Sequence, residues 1–195
     1  LSPAPSIAKV SRPHRRRGWR RGMGEGGRQY SYYSYAAAAA LLHSLASQYP
    51  SLASLSTTQA QFGLPPVGKC KDEAGQESPC LNYVLEITNR SASPLARSTR
   101  PQIYISGALH GDEQVGVVTA LELCRWLTER YESDAWVRRL VDTRSIIISP
   151  MTNAIGSAMH QRTEMGIDPN RDFPFDQIPK ACMQTVAAPP VNAIS

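Results

Sequence analysis

Apolar and polar positions divide the chain into stretches of two periods. From Tyr35 to Tyr49 an alanine run followed by Leu41, Leu42 and Leu45 places its bulky residues on one stripe, which predicts a helix that Pro50 ends. Leu52 to Thr58 alternates loosely and Tyr83 to Thr88 more cleanly, so both are expected to be strands. Ile103, Tyr104 and Ile105, bounded by Pro101 and Gly107, predict a short buried strand. Beyond it Val117, Leu121, Cys124 and then Leu127 or Thr128 recur at the spacing of one buried helix face, with Cys124 a small core residue. Trp136 to Val141 extends the helical region with exposed Arg138 and Arg139. Arg144 to Ser149, with Ile146, Ile147 and Ile148 in succession, reads as a strand buried on both faces. Strands separated by helices indicate a three-layer α/β domain.

The intervening stretches are polar. Residues 70–80 form a loop rich in Gly, Pro, Lys and Glu, and Arg90 to Arg100 is a connection containing Pro94. Pro150 to Gly156 reads as a turn, and Gly166 to Pro174 as an extended loop.

Composition changes this picture only at the N-terminus. The 195 residues suffice for one core, and 42% hydrophobic content is ordinary for a globular chain. No apolar run approaches the roughly 20 residues that span a bilayer. The net charge of +5 would suggest a nucleic-acid partner if it were spread over the domain, but it is not. Residues 1–28 hold eight basic residues against Glu25, while the remainder holds 13 basic and 15 acidic ones. Residues 1–34, rich in Arg, Gly, Ser, Pro and Tyr, are therefore expected to be a disordered basic arm or leader, with residues 35–195 as the folded part. Nucleic-acid binding would rest on that arm alone.

Of four cysteines, Cys70 and Cys80 bracket the polar loop, where a disulfide could staple a surface excursion. Asn89-Arg90-Ser91 is a glycosylation sequon, which fits the same oxidising compartment and a secreted location. A cytoplasmic location is the alternative.

The chemistry concentrates after the strand at residues 103–105. His110 and Glu113 lie three residues apart where a helix is expected to begin near Asp112, so an imidazole and a carboxylate would leave the strand's end on the same side. Such donors suit zinc, which takes three protein ligands and a water in catalytic sites. Further on, Asn170 and Arg171 offer an amide beside a guanidinium fork suited to gripping a carboxylate, although Arg171 could instead pair with Asp168 or Asp172.

Taken together, His110-Gly111-Asp112-Glu113, the Pro150-x-x-Asn153-x-x-Gly156 turn and the Gly166-x-Asp168-x-Asn170-Arg171-x-Phe173-Pro174 stretch resemble the zinc metallocarboxypeptidases of the carboxypeptidase A type. The resemblance covers about residues 30–188. It implies a mixed-sheet α/β catalytic domain binding one Zn²⁺ and removing the C-terminal residue of a peptide or protein, as a monomer. It carries zinc ligation onto His110 and Glu113, and substrate-carboxylate binding onto Asn170 and Arg171. It carries polarisation of the scissile carbonyl onto Arg162, which would thereby be both substrate-binding and catalytic.

The chain also departs from the pattern. The family's third ligand is a His on a later strand and its general base a Glu later still, and neither is expected before Ser195. His14, His43 and His160 are poor substitutes for the third ligand. A helix over Ala181 to Ala188 would be broken by Pro189-Pro190, so the chain is expected to be the N-terminal part of a catalytic domain, truncated and inactive alone. Two alternatives remain open: an aspartoacylase- or desuccinylase-like amidohydrolase, which shares His-x-x-Glu and Asn-Arg-x-Phe-Pro, and a noncatalytic carboxylate-binding remnant.

Overall fold

A computed structural model describes residues 31–72, 74–92 and 99–173. The expected disorder of the arm, except residues 31–34, and the expected helix over 181–188 lie outside the described residues. The elements run α1 (Tyr35–Gln48), β1 (Ala53–Thr57), α2 (Thr58–Phe62), β2 (Val67–Lys71), β3 (Glu77–Cys80), β4 (Tyr83–Ile87), β5 (Gln102–Ser106), α3 (Gln114–Glu129), α4 (Ala135–Thr143), β6 (Ser145–Ser149) and α5 (Ala154–Met159). A 3₁₀ turn over Pro169–Arg171 follows.

Four strands form a mixed sheet in the order β1-β4-β6-β5. β1 with β4, and β4 with β6, are antiparallel, whereas β5 and β6 are parallel and joined through α3 and α4. The β5–β6 register sets Ile103 beside Ile146 and Ile105 beside Ile148. Since side chains alternate across a strand, these residues share one face with Leu85 and Ile87. Against that face pack Leu42 and Leu45 of α1, Val117, Leu121 and Cys124 of α3, and Val137 and Val141 of α4. Leu42, Leu85, Leu121, Ile148 and Val141 are fully buried, each worth about 1.5–3 kcal/mol of apolar transfer. The fold is thus α/β, as the pattern predicts, around a mixed sheet, as the resemblance implies.

Three expectations need correction. β5 is not a buried strand. It is the edge of the described sheet, and Tyr104 is 55% exposed while only Ile103 and Ile105 pack inward. Its apolar run marks one buried face, not two.

The region between the two cysteines is not a plain loop either. β2 and β3 pair as an antiparallel hairpin in which Cys70 and Cys80 are the buried positions. With nearly every other position exposed, alternation carries no apolar signal there.

Last, the turn after β6 continues into α5. Asn153 supplies its N-cap, the side chain accepting from the Gly156 N–H at 2.7 Å. Likewise β1 stops at Thr57, whose side chain caps the short α2. Among the described residues no helix is long and apolar enough to cross a membrane.

Candidate metal centre

The site forms where β5 and β6 end side by side. Parallel pairing carries both strands out at the same edge, and backbone bonds tie the two following loops together. Gly107 N–H donates to Ser149 O at 2.9 Å, Thr152 N–H to Gly107 O at 3.0 Å, and Asn153 N–H to Ala108 O at 3.0 Å. Gly107 is required here. A Cβ would sit 2.6 Å from the Pro150 carbonyl oxygen and 2.7 Å from that of Gly116.

The turn through His110 to Glu113 is held by the Glu113 N–H on His110 O at 3.1 Å, and α3 begins at Gln114 instead of the expected Asp112. Glu113 occupies the N-cap position but makes no capping bond. Its carboxylate turns back to the imidazole, with Oε1 lying 2.9 Å from His110 Nδ1.

The other ring nitrogen, Nε2, lies 3.0 Å from Asp168 Oδ1. Asp168 arrives from a small hairpin in which Glu164 and Ile167 exchange backbone bonds across Met165 and Gly166, both at positive φ. That reversal brings Arg162 and Asp168 together, with Arg162 Nε donating to Asp168 Oδ2 at 3.2 Å. Arg162 Nη1 also stands 3.7 Å from Glu113 Oε1. His110 is buried between two carboxylates, and one guanidinium touches both.

Burial pushes the Asp168 carboxyl up, but the hydrogen bond from His110, the N–H of Asn170 and the charge of Arg162 outweigh it and hold it below the usual 3.8. Asp168 therefore stays ionised and accepting. With Nε2–H donating to it, His110 Nδ1 presents a lone pair to Glu113, itself an acceptor. Two acceptors at 2.9 Å need either a second proton on the ring or a cation between them. A carboxylate behind the far nitrogen is also the usual support of a metal-bound histidine. The donor set therefore fits two ligands of a zinc ion. Among the described residues no group of three or more His, Cys, Asp or Glu could hold a metal ion.

The remaining expected residues fall unevenly. Asn170 donates its N–H to Asp168 Oδ1 at 2.9 Å and lies exposed beside the centre. Arg171 is also exposed and donates to the Asn170 carbonyl at 3.0 Å. Asp168, read from sequence as one candidate partner for Arg171, is engaged by His110 and Arg162. His160 is the exposed C-cap of α5, and His43 packs edge-on against Tyr83 at 5.4 Å. Beside Glu113 a cavity of about 580 Å³ is lined by Tyr32, Ser106, Ala108, Asp112 and Val115.

Two supporting contacts of residues in the sequence motifs could not be read from the sequence. One is that of Asp168 with His110. The other is that of Asn153, whose Nδ2 donates to the Arg162 carbonyl at 3.2 Å. An Asn just before the start of a helix was the available signal for Asn153.

Away from the centre, Cys70 and Cys80 are joined as a disulfide. The Asn89 Nδ2 donates to Tyr131 Oη at 2.6 Å and to Asp142 Oδ1 at 3.0 Å, bonds that a glycan on that nitrogen would displace.

The sequence profile of the zinc carboxypeptidase family matches residues 82–190. Carboxypeptidase SOL1 of Arabidopsis thaliana is 32% identical over 98 residues, covering 50% of this chain and 19% of that protein. A zinc carboxypeptidase of Saccharothrix mutabilis subsp. capreolus is 28% identical over 100 residues, covering 44% of this chain and 23% of that one. Among solved structures, carboxypeptidase A from Helicoverpa armigera superposes with a TM-score of 0.55 at 19% identity, covering 75% of this chain and 35% of that chain. The present chain thus spans about a fifth of the length of these curated relatives and about a third of that structure. With the profile matching more than half of its residues, the chain belongs to the zinc carboxypeptidase family.

Proposed function

We propose that this chain carries part of the active site of a zinc-dependent metallocarboxypeptidase, a hydrolase of the C-terminal peptide bond of peptides or proteins. The observation that carries this reading is His110 held between Glu113 at 2.9 Å and Asp168 at 3.0 Å, with Arg162 bonded to Asp168. Residues 35–195 are the N-terminal portion of the catalytic domain, and His110 and Glu113 are two of its protein zinc ligands. The reading requires a third ligand and a general base in addition to these residues. Bound zinc supplies an activated water and a polarising charge.

The residues of this chain do the rest. Asp168 fixes the imidazole through Nε2, which leaves Nδ1 beside Glu113 as the nitrogen that would hold a metal. Arg162 stands beside both carboxylates, where it can stabilise negative charge developing on a scissile carbonyl. Asn170 and Arg171 grip the free carboxylate of the substrate, since a guanidinium fork and an amide match its oxygens. The buried disulfide supports passage through an oxidising compartment, and hence secretion.

The test is binding of a short peptide by fluorescence anisotropy, with its C-terminus free or amidated. The free acid is expected to bind at least about tenfold more tightly, in line with loss of a charge-assisted pair, and Arg171→Ala to abolish the difference. Equal binding of acid and amide contradicts the reading.

A further inference from the structure

The disulfide lies outside the site, yet an unbroken path of close contacts leads from it to the turn that holds His110. Cys70 and Cys80 are 1% and 0% exposed and pack against Ala154 and Ile155 of α5. On the same hairpin Gly68 approaches so closely that a Cβ there would lie 2.8 Å from both Cγ1 and Cδ1 of Ile155. Tyr35 pins the residue that follows β3, its hydroxyl accepting from the Leu81 N–H at 2.8 Å and donating to the Leu81 carbonyl at 3.1 Å.

The next residue of α5 completes the path. A Cβ on Gly111 would lie 2.0 Å from Gly156 C, 2.4 Å from Ser157 N and 2.5 Å from Gln161 O, so the turn immediately after His110 rests on the α5 backbone. The same contact includes the Gly111 N–H on the Arg162 carbonyl at 3.4 Å, which also accepts from Asn153 Nδ2. From the sulfurs the sequence of contacts runs Ile155, Gly156, Gly111, His110, with Arg162 tied in at Gly111. Contacts this tight transmit displacement, because packed interiors have no slack to absorb it.

We propose that the Cys70–Cys80 disulfide is a brace for the metal site, and that its redox state sets the affinity of His110 and Glu113 for zinc through Ile155. A dithiol reductant delivers two electrons and two protons, breaking the S–S bond to two thiols and closing its own sulfurs into a disulfide. The freed hairpin loses its hold on Ile155, α5 shifts, and the two ligands no longer converge. The metal part of this inference rests on the reading of His110 and Glu113 as ligands. The mechanical part does not.

Two readouts separate them. In the metal-free protein, amide hydrogen exchange at Gly111 is expected to rise severalfold in the Cys70→Ala/Cys80→Ala variant, with little change at Leu121 in the core of α3. By competition with a chromophoric chelator, the same variant is expected to bind zinc about tenfold more weakly than the disulfide-bonded protein, a typical coupling between sites. Alanines replace the cysteines so that free thiols cannot themselves take the metal.

If that variant does not fold, Ile155→Ala, which keeps the disulfide, is expected to reproduce both effects. If it does fold, adding Ile155→Ala is expected to change little more, because the two changes act along one path. Unchanged Gly111 exchange and equal zinc affinity in the folded variants overturn the brace. If no form binds zinc but Gly111 exchange rises as expected, the brace stands and the assignment of the ligands falls.

Discussion

Asp168 accepts a hydrogen bond from Nε2 of His110 at 3.0 Å across 58 residues of sequence, and this one contact leaves Nδ1 facing Glu113, the nitrogen on which the proposed zinc site depends. Replacing Asp168 by Asn keeps the shape but removes the charge that holds the proton on Nε2. Zinc affinity is expected to fall about 10- to 100-fold, the usual cost of losing such an outer partner. Competition with a chelator measures it, and an unchanged affinity would mean that Asp168 serves only the loop.

Gly111→Ala tests the close approach of the turn to α5. With a Cβ 2.0 Å from backbone carbon, neither side can yield as a flexible side chain would. A loss on the order of 2–4 kcal/mol is expected, as for overpacking against backbone. Gly63→Ala is the contrast, since nothing lies within 4 Å of its Cβ. Its cost comes from the positive φ of 64° alone, about 1 kcal/mol. Urea denaturation of the two variants distinguishes steric from conformational cost.

Buried hydrogen bonding around Asn82 predicts a further loss. Its Oδ1 accepts from Gln59 Nε2 at 2.8 Å and its Nδ2 donates to Thr152 O at 2.6 Å, joining α2 to the loop after β6. Asn82→Ala leaves the Thr152 carbonyl and the Gln59 amide without these partners and is expected to cost about 1–3 kcal/mol. Thermal unfolding reads the change directly.

Alkaline pH is expected to destabilise the fold. Burial pushes the Cys124 thiol from 9.0 up to about 12. Burial likewise pushes the Tyr35 phenol from 10.0 up to about 12, against a smaller opposing effect of its bond to Leu81. Both groups lose their protons more readily when unfolded. Stability is therefore full below pH 9 and declines as the pH rises towards 12. Cys124→Ala should flatten the part of the decline that begins near pH 9, as measured by denaturation midpoints across the range.

What could be read from sequence follows the physics of burial. α1, α3 and β6 were visible because bulky apolar residues recur at the period of their buried faces: Leu42 and Leu45, then Val117, Leu121 and Cys124, then the isoleucines at 146–148. The β2–β3 hairpin was not, since only its two cysteines are inside. α5 was hidden because its six residues include Gly156, a poor helix former, and its start depends on the Asn153 cap more than on pattern. At the site, His110 and Glu113 were legible because a short turn makes three-residue spacing a contact. Asp168 was not, because its contact with His110 depends on the Glu164–Ile167 reversal, a long-range arrangement that spacing does not encode.

Zinc binding by the metal-free protein tests the central claim most directly, titrated against a competing chelator for the native sequence, His110→Ala and Glu113→Ala. The account predicts weak but measurable zinc binding by the native sequence, since His110 and Glu113 are only two of the ligands, and a marked further weakening in each variant, because each removes one of the chelating pair. Zinc bound equally well by all three proteins, or by none, would contradict it.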